Sequence, residues 1–443
     1  MDLDPLIDDL GTRIIVCCGA GGVGKTTTAA ALGVRAAERG RRVVVLTIDP
    51  ARRLAQSMGI DSLDNTPRKV DGIKGSDGGE LHAMMLDMKR TFDEIVEAHA
   101  EPGRARAILE NPFYQSLSAG FAGTQEYMAM EKLGQLRARD EWDLIVVDTP
   151  PSRSALDFLD APKRLGSFLD GKFIKLLMAP AKVGGRAGMK FLNVGMSMMT
   201  GTLGKLLGGQ FLKDVQTFVA AMDTMFGGFR TRADATYKLL QAPGTAFLVV
   251  ATPERDALRE AAYFVERLAA EEMPLAGLVL NRVHGSAAAR LSAERARAAA
   301  ENLDERRMVD QGDGKTPRGG SPATEPEPSH LATAATPAPP VPQAAPTADP
   351  AQEPAGLTRP AGPAGNGAPH EEHEDDTDVR HLTAGLLRLH AERMRVLSRE
   401  RRTRDRFTAL HPEVAVTEVA ALPGDVHDLA GLRTIGDRLT AGR

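Results

Sequence analysis

Short apolar runs alternate with longer amphipathic stretches along most of the chain. Seven runs rich in Val, Ile and Leu end in turn or polar residues, as buried parallel strands do when functional loops follow their carboxyl ends. These runs are Ile14 to Cys18, Val43 to Ile48, Leu81 to Leu86, Leu144 to Val147, Phe247 to Val250, Leu278 to Leu280 and Val414 to Val419. Helix-compatible stretches, such as Thr26 to Arg39 and Arg255 to Ala270, lie between most of them. The pattern predicts an α/β fold with a doubly wound, mostly parallel sheet.

Two segments interrupt this alternation. Residues 155–240 follow the fourth predicted strand, contain no clear strand and are rich in Met, Gly, Leu and Phe, so we predict a helical, Met-rich insertion. Residues 309–376 are dense in Pro, Ala, Gly, Thr and Glu and close with an acidic run. Such a composition buries too little apolar surface to offset the entropy of ordering the chain, which predicts a disordered linker.

The interruptions divide the predicted α/β core into three parts, residues 1–154, 241–308 and 377–443. Helix-compatible sequence flanks the linker at about 286–307 and 379–407. The simplest expectation is a helical hairpin whose tip has been replaced by the linker. The third part would then return to the core with a helix and a final strand.

Net charge, cysteine content and the distribution of apolar residues limit which partners and which cellular compartment we expect. The formal net charge of -4 gives no sign of the basic face that nucleic-acid binding requires, so we expect no nucleic-acid partner. The two cysteines, Cys17 and Cys18, are adjacent and cannot build a disulfide framework or a CxxC metal site. The start of the chain is acidic and no stretch has 18 uninterrupted apolar residues, so we expect a cytoplasmic protein with at most a peripheral membrane role.

The first predicted strand runs directly into a glycine-rich motif. Residues 19–26 read GAGGVGKT, match the pattern G-x-x-x-x-G-K-[ST] and precede a helix-compatible run, a context that favours a P-loop over an ordinary glycine-rich turn. Backbone amides of such a loop converge on phosphate oxygens, Lys25 would reach the β- and γ-phosphates, and Thr26 would offer its hydroxyl to Mg²⁺. The candidate nucleotide-binding residues are Gly21, Gly22, Val23, Gly24, Lys25, Thr26 and Thr27.

Carboxylates follow two other predicted strands. Asp49 follows VVVLTI, and Asp148 follows LIVV. A carboxylate at the end of a buried strand beside a P-loop is placed to orient water or to hold Mg²⁺ through water. We predict that Asp148 serves the metal and that Asp49 positions the attacking water, so that Asp49 and Lys25 are the catalytic candidates. The alternative is a helix N-cap or turn residue for Asp148 and a cap for Asp49.

These motifs together resemble a known family. GAGGVGKTTTAAALG, the DPARRL and DTPPS boxes and the strand end Leu280-Asn281-Arg282 look like the arsenite-pump and tail-anchored-protein-targeting ATPases. Those proteins belong to the deviant P-loop class with the MinD and nitrogenase iron-protein relatives. The resemblance covers the chain except the linker and is strongest in the first 60 residues. It implies an enzyme that binds and hydrolyses Mg·ATP while cycling between open and closed dimers.

The resemblance also implies roles for individual residues. Asp49 would lie in switch I and Asp148 in switch II, the two segments that reorganise between the ADP and ATP states. Asn281 matches the residue that hydrogen-bonds adenine in the family, and the turn that begins at Pro423 would cover the base. The alternative for Asn281 is that it caps a strand.

The sequence departs from the family at Ala20, where the family usually has a lysine that reaches the partner's phosphates across the dimer. Loss of a cation near the developing charge is expected to slow hydrolysis. Either Arg52, Arg53 or Arg153 supplies the missing charge, or a paralogous partner that retains the lysine pairs with this chain in a heterodimer.

Three further features bear on the client. Two cysteines in one strand cannot form the family's zinc clasp or arsenite site, so both metals are disfavoured. The Met-rich insertion occupies the position of the client-binding helices, and methionine suits promiscuous apolar surfaces; it is either such a groove or a subdomain core or dimer contact. The basic run RERRTRDR in the helix around 382–407 is either a solvated face or a site for an acidic or lipid partner.

Three biological outputs remain open at this point. The first is a targeting ATPase or chaperone whose insertion holds a hydrophobic helix of a membrane-protein client. The second is the catalytic subunit of an anion exporter. The third is a regulatory switch that hydrolyses little ATP, for which Ala20 is the argument.

Overall fold

The computed structural model describes residues 1–48, 52–75, 78–117, 124–150, 218, 228, 231–310 and 371–440. Most of the predicted Met-rich insertion and most of the predicted linker lie outside these residues. The boundaries that we assigned to those two segments therefore stay predictions, apart from the linker's ends.

Within the described residues, strands and helices alternate as predicted. The strands are β1 (Ile14–Gly19), β2 (Arg42–Thr47), β3 (Arg68–Lys69), β4 (Glu80–Met85), β5 (Leu144–Asp148), β6 (Thr245–Ala251), β7 (Leu275–Val283) and β8 (Val416–Ala420). The helices are α1 (Asp4–Asp8), α2 (Lys25–Glu38), α3 (Arg52–Ser57), α4 (Met88–His99), α5 (Pro102–Leu109), α6 (Pro112–Leu117), α7 (Thr124–Arg139), α8 (Arg255–Ala270), α9 (Ala293–Asp310), α10 (Glu371–Leu410) and α11 (Leu429–Thr440). Residues 231–241 are also helical.

The described strands form one sheet in the order β3-β4-β2-β5-β1-β6-β7-β8. Every pairing is parallel except that of β3 with β4. The central register sets Cys17 and Thr47 on either side of Asp148. The carboxyl ends of β1, β2 and β5 therefore meet at one edge of the sheet, where doubly wound folds bind their ligands.

All seven predicted strands are present, and the doubly wound α/β fold is confirmed. Sequence reasoning missed β3, a two-residue strand of exposed, charged residues that carries no apolar run. It also made β7 too short, because Gly277 and the polar pair Asn281 and Arg282 fall outside an apolar pattern although they continue the strand.

Both faces of the sheet are covered by helices. One face packs against alanines of α2 and against Leu432, Ile435 and Leu439 of α11. The other face packs against residues of α4, α7 and α8, including Phe264 and Leu133. The near-continuous burial of β1, β5 and β6 follows from this two-sided cover, which is why these strands are apolar at successive positions.

The chain divides into two compact units, one of residues 1–289 and 395–443 and a second of residues 290–394. We had assigned residues 290–308 and 377–394 to the α/β core, whereas they belong to the second unit. Small side chains account for the packing of this unit. Ala296 and Ala300 of α9 and Ala384 and Ala391 of α10 are buried. An ion pair between Arg388 and Asp304 joins the two helices.

The predicted linker was too long at both ends. Helix α9 extends to Asp310, and α10 begins at Glu371, so the acidic run that we placed at the end of the linker is helical. Carboxylates in the first turns of a helix are stabilised by the partial positive charge of its N-terminus. In the part of the chain that the structure describes, we find no helix with the length and apolar character of a membrane span.

Candidate functional site

The glycine-rich loop lies between the end of β1 at Gly19 and the start of α2 at Lys25. Gly24 caps α2 with a left-handed φ of 93°, and a Cβ atom there would lie 2.2 Å from Nδ2 of Asn281. A Cβ atom on Gly19 would lie 2.1 Å from the carbonyl oxygen of Val250. Glycine is therefore required at both ends of the loop by packing as well as by backbone geometry.

Lys25 is buried, and its Nζ donates a hydrogen bond of 2.7 Å to the carbonyl oxygen of Ala20. The ammonium group thus lies against the loop in which we predict the phosphates. Ala20 itself is buried and carries no charge, so the loop's own cation is Lys25 alone. The strand-loop-helix geometry that the sequence predicts for a P-loop is present.

Asp148 joins the loop to a neighbouring strand. Its Oδ2 accepts hydrogen bonds from the hydroxyl of Thr26, at 2.7 Å, and from the hydroxyl of Thr47, at 3.0 Å. Asp148 is fully buried at the end of β5. Thr26 and Asp148, which we predicted as the metal residues, are thereby brought into direct contact.

The donor set fits Mg²⁺, which binds one or two protein oxygens and takes its other ligands from phosphates and water. A threonine hydroxyl and a carboxylate oxygen, 2.7 Å apart, supply hard oxygen ligands at this position. The described residues hold no group of three or more His, Cys, Asp or Glu side chains that could bind a metal without help.

Asp49 lies outside the described residues, as do Arg153 and the side chains of Arg52 and Arg53. The residue before Asp49, Ile48, is nevertheless described. The amide of Ile48 donates to the carbonyl of Asp148 at 3.1 Å, and the carbonyl of Ile48 accepts from Nε2 of Gln125 at 2.9 Å. The roles assigned to Asp49 and the three arginines stay predictions.

Asn281 contacts the loop itself. Its Nδ2 donates to the carbonyl of Val23 at 2.8 Å, and its Oδ1 accepts from the amide of Arg282 at 2.9 Å. Asn281 is buried, and Arg282 has a left-handed φ of 57° at the point where the register between β7 and β8 shifts. The adenine contact that we predicted for Asn281 stays a prediction, and sequence reasoning missed its bond to the loop.

Pro423 lies in an exposed bend after β8. Because β7 and β8 are parallel neighbours with Val283 opposite Ala420, Pro423 and Asn281 follow strand ends on the same edge of the sheet. This is the edge on which the P-loop lies. Both residues therefore follow strand ends at this edge, and their contact with adenine stays a prediction.

The sequence profile of the anion-transporting ATPase family matches residues 12–306, which is more than half of the chain. The chain belongs to this family. The fold and the P-loop geometry agree with the match, and the predicted family and the prediction of an ATPase are confirmed.

Individual relatives agree with this assignment. The chain is 31% identical over 163 residues to ATPase GET3 of Malassezia globosa, a match that covers 37% of this chain and 46% of that protein. It is 26% identical over 283 residues to ATPase GET3 of Podospora anserina, covering 63% of this chain and 76% of the relative. It is 27% identical over 288 residues to ATPase ARSA2 of Chlamydomonas reinhardtii, covering 63% and 70%.

Both cysteines of the ATPase are buried in β1. Burial, reinforced by the negative charge of Asp148, holds the pKa of the Cys17 thiol well above its usual range. Burial also raises the pKa of Cys18 to about 12. The two thiols therefore stay protonated at neutral pH, which makes them poor nucleophiles and poor metal ligands.

A polar cluster on α7, which sequence reasoning missed, lies on the helix that carries Gln125. The hydroxyl of Tyr127 donates to Oε2 of Glu131 at 3.0 Å, and Nε of Arg232 donates to Oε1 of the same carboxylate at 2.6 Å. Glu131 is buried, and burial raises the pKa of Tyr127. The next residue, Lys132, is also buried. Charged residues in a helical sequence usually predict a solvent-exposed face. The burial of these charged residues could therefore not be predicted from a single sequence.

Proposed function

We propose that this ATPase works as a Mg·ATP-switched dimer whose Met-rich insertion holds a hydrophobic helix of a client protein. The observation that carries the proposal is the contact of one buried carboxylate, Asp148, with both Thr26 and Thr47. Thr26 belongs to the loop that would bind the phosphates, and Thr47 ends the strand that leads to Asp49. A change in the bound phosphates would therefore alter contacts at the ends of both β2 and β5.

In the nucleotide step, backbone amides of residues 20–25 would bind phosphate oxygens, and the ammonium of Lys25 would turn from the Ala20 carbonyl to the β- and γ-phosphates. Mg²⁺, when bound, neutralises charge on the β- and γ-phosphate oxygens. Thr26 would hold the metal through its hydroxyl and Asp148 through its carboxylate, directly or by way of water. Asp49 would orient the attacking water, so that water displaces ADP from the γ-phosphorus without a covalent enzyme intermediate.

The client part of the proposal rests on the sequence of residues 155–240 and on the resemblance to targeting ATPases. Helical residues 231–241 connect this segment to β6, and Arg232 pairs with the buried Glu131 of α7. Because α7 also holds the carbonyl of Ile48 through Gln125, one helix contacts both the approach to Asp49 and the end of the insertion. We expect the protein to be cytoplasmic, with membrane contact only through its client.

The test is photo-crosslinking of the full chain with a 20-residue apolar helical peptide that carries a benzophenone. We expect crosslinks to residues 155–240 in one nucleotide state and at least tenfold fewer in the other, comparing Mg·ADP with a non-hydrolysable Mg·ATP analogue. A polar peptide of equal length is the control, and Lys25→Ala should abolish the difference between states. Equal crosslinking in every state would contradict the proposed coupling.

Ala20 favours a second candidate, a regulatory subunit that pairs with a paralogous ATPase retaining the loop lysine. In that case the heterodimer should hydrolyse ATP at least tenfold faster than this chain alone. Equal rates for the homodimer and the mixed dimer would contradict it. The family's anion transport is a third candidate, whose mark would be hydrolysis stimulated by the transported anion.

A further inference from the structure

A cavity of about 870 Å³ lies between the C-terminal part of α10 and the strands β7 and β8. All the residues that line it belong to the first compact unit, residues 1–289 and 395–443. Pockets that bind small molecules span about 300–1,000 Å³, so this cavity has the size of a ligand site. We refer to it as the β8 cavity.

The β8 cavity lies on the opposite face of β7 from the P-loop. Leu280 lines the cavity, whereas the side chain of the next residue, Asn281, bonds to the carbonyl of Val23 in the loop. Successive side chains of a strand point to opposite faces of the sheet. A molecule in the cavity would therefore leave the predicted phosphate site free.

Part of the cavity wall is apolar. Leu280 of β7, Leu397 of α10 and Val414, which precedes β8, are buried, and Val283 and Val416 are half-buried. Ligand sites typically combine such a wall with a few polar groups that fix the orientation of the ligand. This part of the wall can hold a hydrocarbon group.

The two carboxylates of the wall are not available to a ligand. Glu418 of β8 accepts from Nη1 of Arg404 at 2.7 Å, and Oε1 of Glu400 bonds to Nδ1 of His284 at 2.9 Å. The other oxygen of Glu400 is buried, out of reach of a ligand. A cationic ligand would therefore find no free carboxylate in the wall.

Two arginines of the wall have donors to spare. Arg401 of α10 forms no hydrogen bond or ion pair with any residue in the described ranges. Arg438 of α11 uses its Nη1 on the carbonyls of Ala420 and Ala421, at 2.6 and 3.4 Å, and pairs with no carboxylate in the same ranges. A guanidinium group presents five donors in a planar fork that matches the oxygens of a carboxylate or phosphate.

Both arginines lie near one ion pair. Arg401 is about one turn before Arg404 in α10, and Arg404 pairs with Glu418. Ala420, whose carbonyl accepts from Arg438, is two residues beyond Glu418 in β8. The unpaired positive charge of the cavity is therefore concentrated beside the carboxyl-terminal half of β8.

We propose that the β8 cavity binds an amphipathic anion, a small molecule with a hydrocarbon chain and a carboxylate or phosphate head group. Arg401 and Arg438 would bind the head group, and the chain would pack against Leu280 and Leu397. The proposal goes beyond the ATPase function and does not depend on nucleotide.

A peptide strand added to β8 is the alternative, because β8 is the last strand of the described sheet. Two carbonyl groups of β8 already have donors. That of Val416 accepts from the backbone nitrogen of Met1 at 2.7 Å, and that of Ala420 accepts from Arg438. An added strand would find only part of this edge free, so a small ligand is favoured.

The first test is calorimetric titration of the full chain with decanoate and with decyl phosphate, both below the concentrations at which they form micelles. We expect saturable binding of at least one anion and a dissociation constant about tenfold higher or more in Arg401→Gln/Arg438→Gln. Arg399→Gln/Arg406→Gln removes two exposed arginines of α10 outside the cavity and is the matched control. Decanol and decyltrimethylammonium test whether the chain alone, or a cation, binds equally well.

The second test fills the cavity without changing its charge. Val416→Trp should abolish binding of the anion and leave binding of Mg·ATP intact, and circular dichroism would show that each variant folds. No binding of either anion at millimolar concentration, unchanged affinity in Arg401→Gln/Arg438→Gln, or equal binding of decanol would overturn the proposal. So would displacement of the anion by saturating Mg·ATP, which would assign it to the nucleotide site. Each of these results leaves the proposed nucleotide switch untouched.

Discussion

The hydroxyl of Thr26 donates to the carboxylate of Asp148 at 2.7 Å, although the two residues are 122 positions apart in the chain. Asp148 is fully buried and also accepts a hydrogen bond from the hydroxyl of Thr47. Its position is therefore fixed by contacts within the protein and not by solvent. The bond therefore fixes the helix after the P-loop to the ends of β2 and β5. We interpret it as the frame of a magnesium site.

Removing the charge of Asp148 should weaken Mg²⁺ binding more than it lowers the stability of the fold. Asp148→Asn keeps an oxygen that can accept from Thr26 and Thr47, but it loses the negative charge that favours Mg²⁺. We expect the ATPase rate to fall about 100-fold and half-saturation to require a higher Mg²⁺ concentration. Thr47→Val removes one hydrogen bond to Asp148 but keeps the charge of Asp148 and both proposed metal ligands, so it is the control. An unchanged magnesium dependence in Asp148→Asn would refute the assignment.

Asn281 is expected to act on the loop as well as on adenine. Asn281→Ala leaves the carbonyl of Val23 without the donor that it now has, at a cost of about 1–3 kcal/mol. Binding of Mg·ATP and of inorganic triphosphate should then both weaken, because the loop is less well ordered. A variant that binds triphosphate as the wild type does, while losing affinity for ATP, would show that Asn281 serves only the base.

Ala20→Lys should speed hydrolysis by this chain alone. The change restores the cation that the resembling family has at this loop position, and an added positive charge near the transferred phosphoryl group stabilises the transition state. We expect at least a tenfold rise in kcat in the purified homodimer. Ala20→Met is the control, since it has similar length without charge. Equal rates for both variants and the wild type would indicate that an arginine of this chain already supplies the charge.

The cysteines give a test of the burial of β1. Burial raises the folded-state pKa of Cys17, and that of Cys18 to about 12, above the usual thiol value near 8.5. Both thiols should therefore resist a disulfide reagent at pH 8 and react fully in denaturant. Because the folded pKa is raised, the protonated thiols favour the folded state below pH 8.5, and this stability should be lost as the pH rises toward 12. Rapid labelling of the native protein at pH 8 would contradict this burial.

The parts of the structure that could be predicted from the sequence are those that depend on local patterns of apolar and polar residues. Apolar runs located seven strands, and the order of motifs along them placed Thr26 and Asp148 at one edge of the sheet. Helix starts were accurate where propensity is strong, as in α8, which begins and ends where the sequence predicts.

The missed parts depend on residues that meet only in the fold. The bond from Asn281 to Val23 spans 258 positions, and the pair of Arg232 with Glu131 spans 101. The second unit was missed for a related reason. Its alanine-rich helices carry the composition of solvated helices, and only their pairing shows that they form a separate unit.

The central claim is that the loop ahead of Lys25 binds the phosphates of Mg·ATP. Calorimetric titration of Mg·ATP into the intact protein tests it most directly, with Lys25→Ala as the comparison. We predict saturable heat for the wild type and a dissociation constant at least tenfold higher for the variant. No heat at millimolar Mg·ATP, or equal binding by both proteins, would contradict the account.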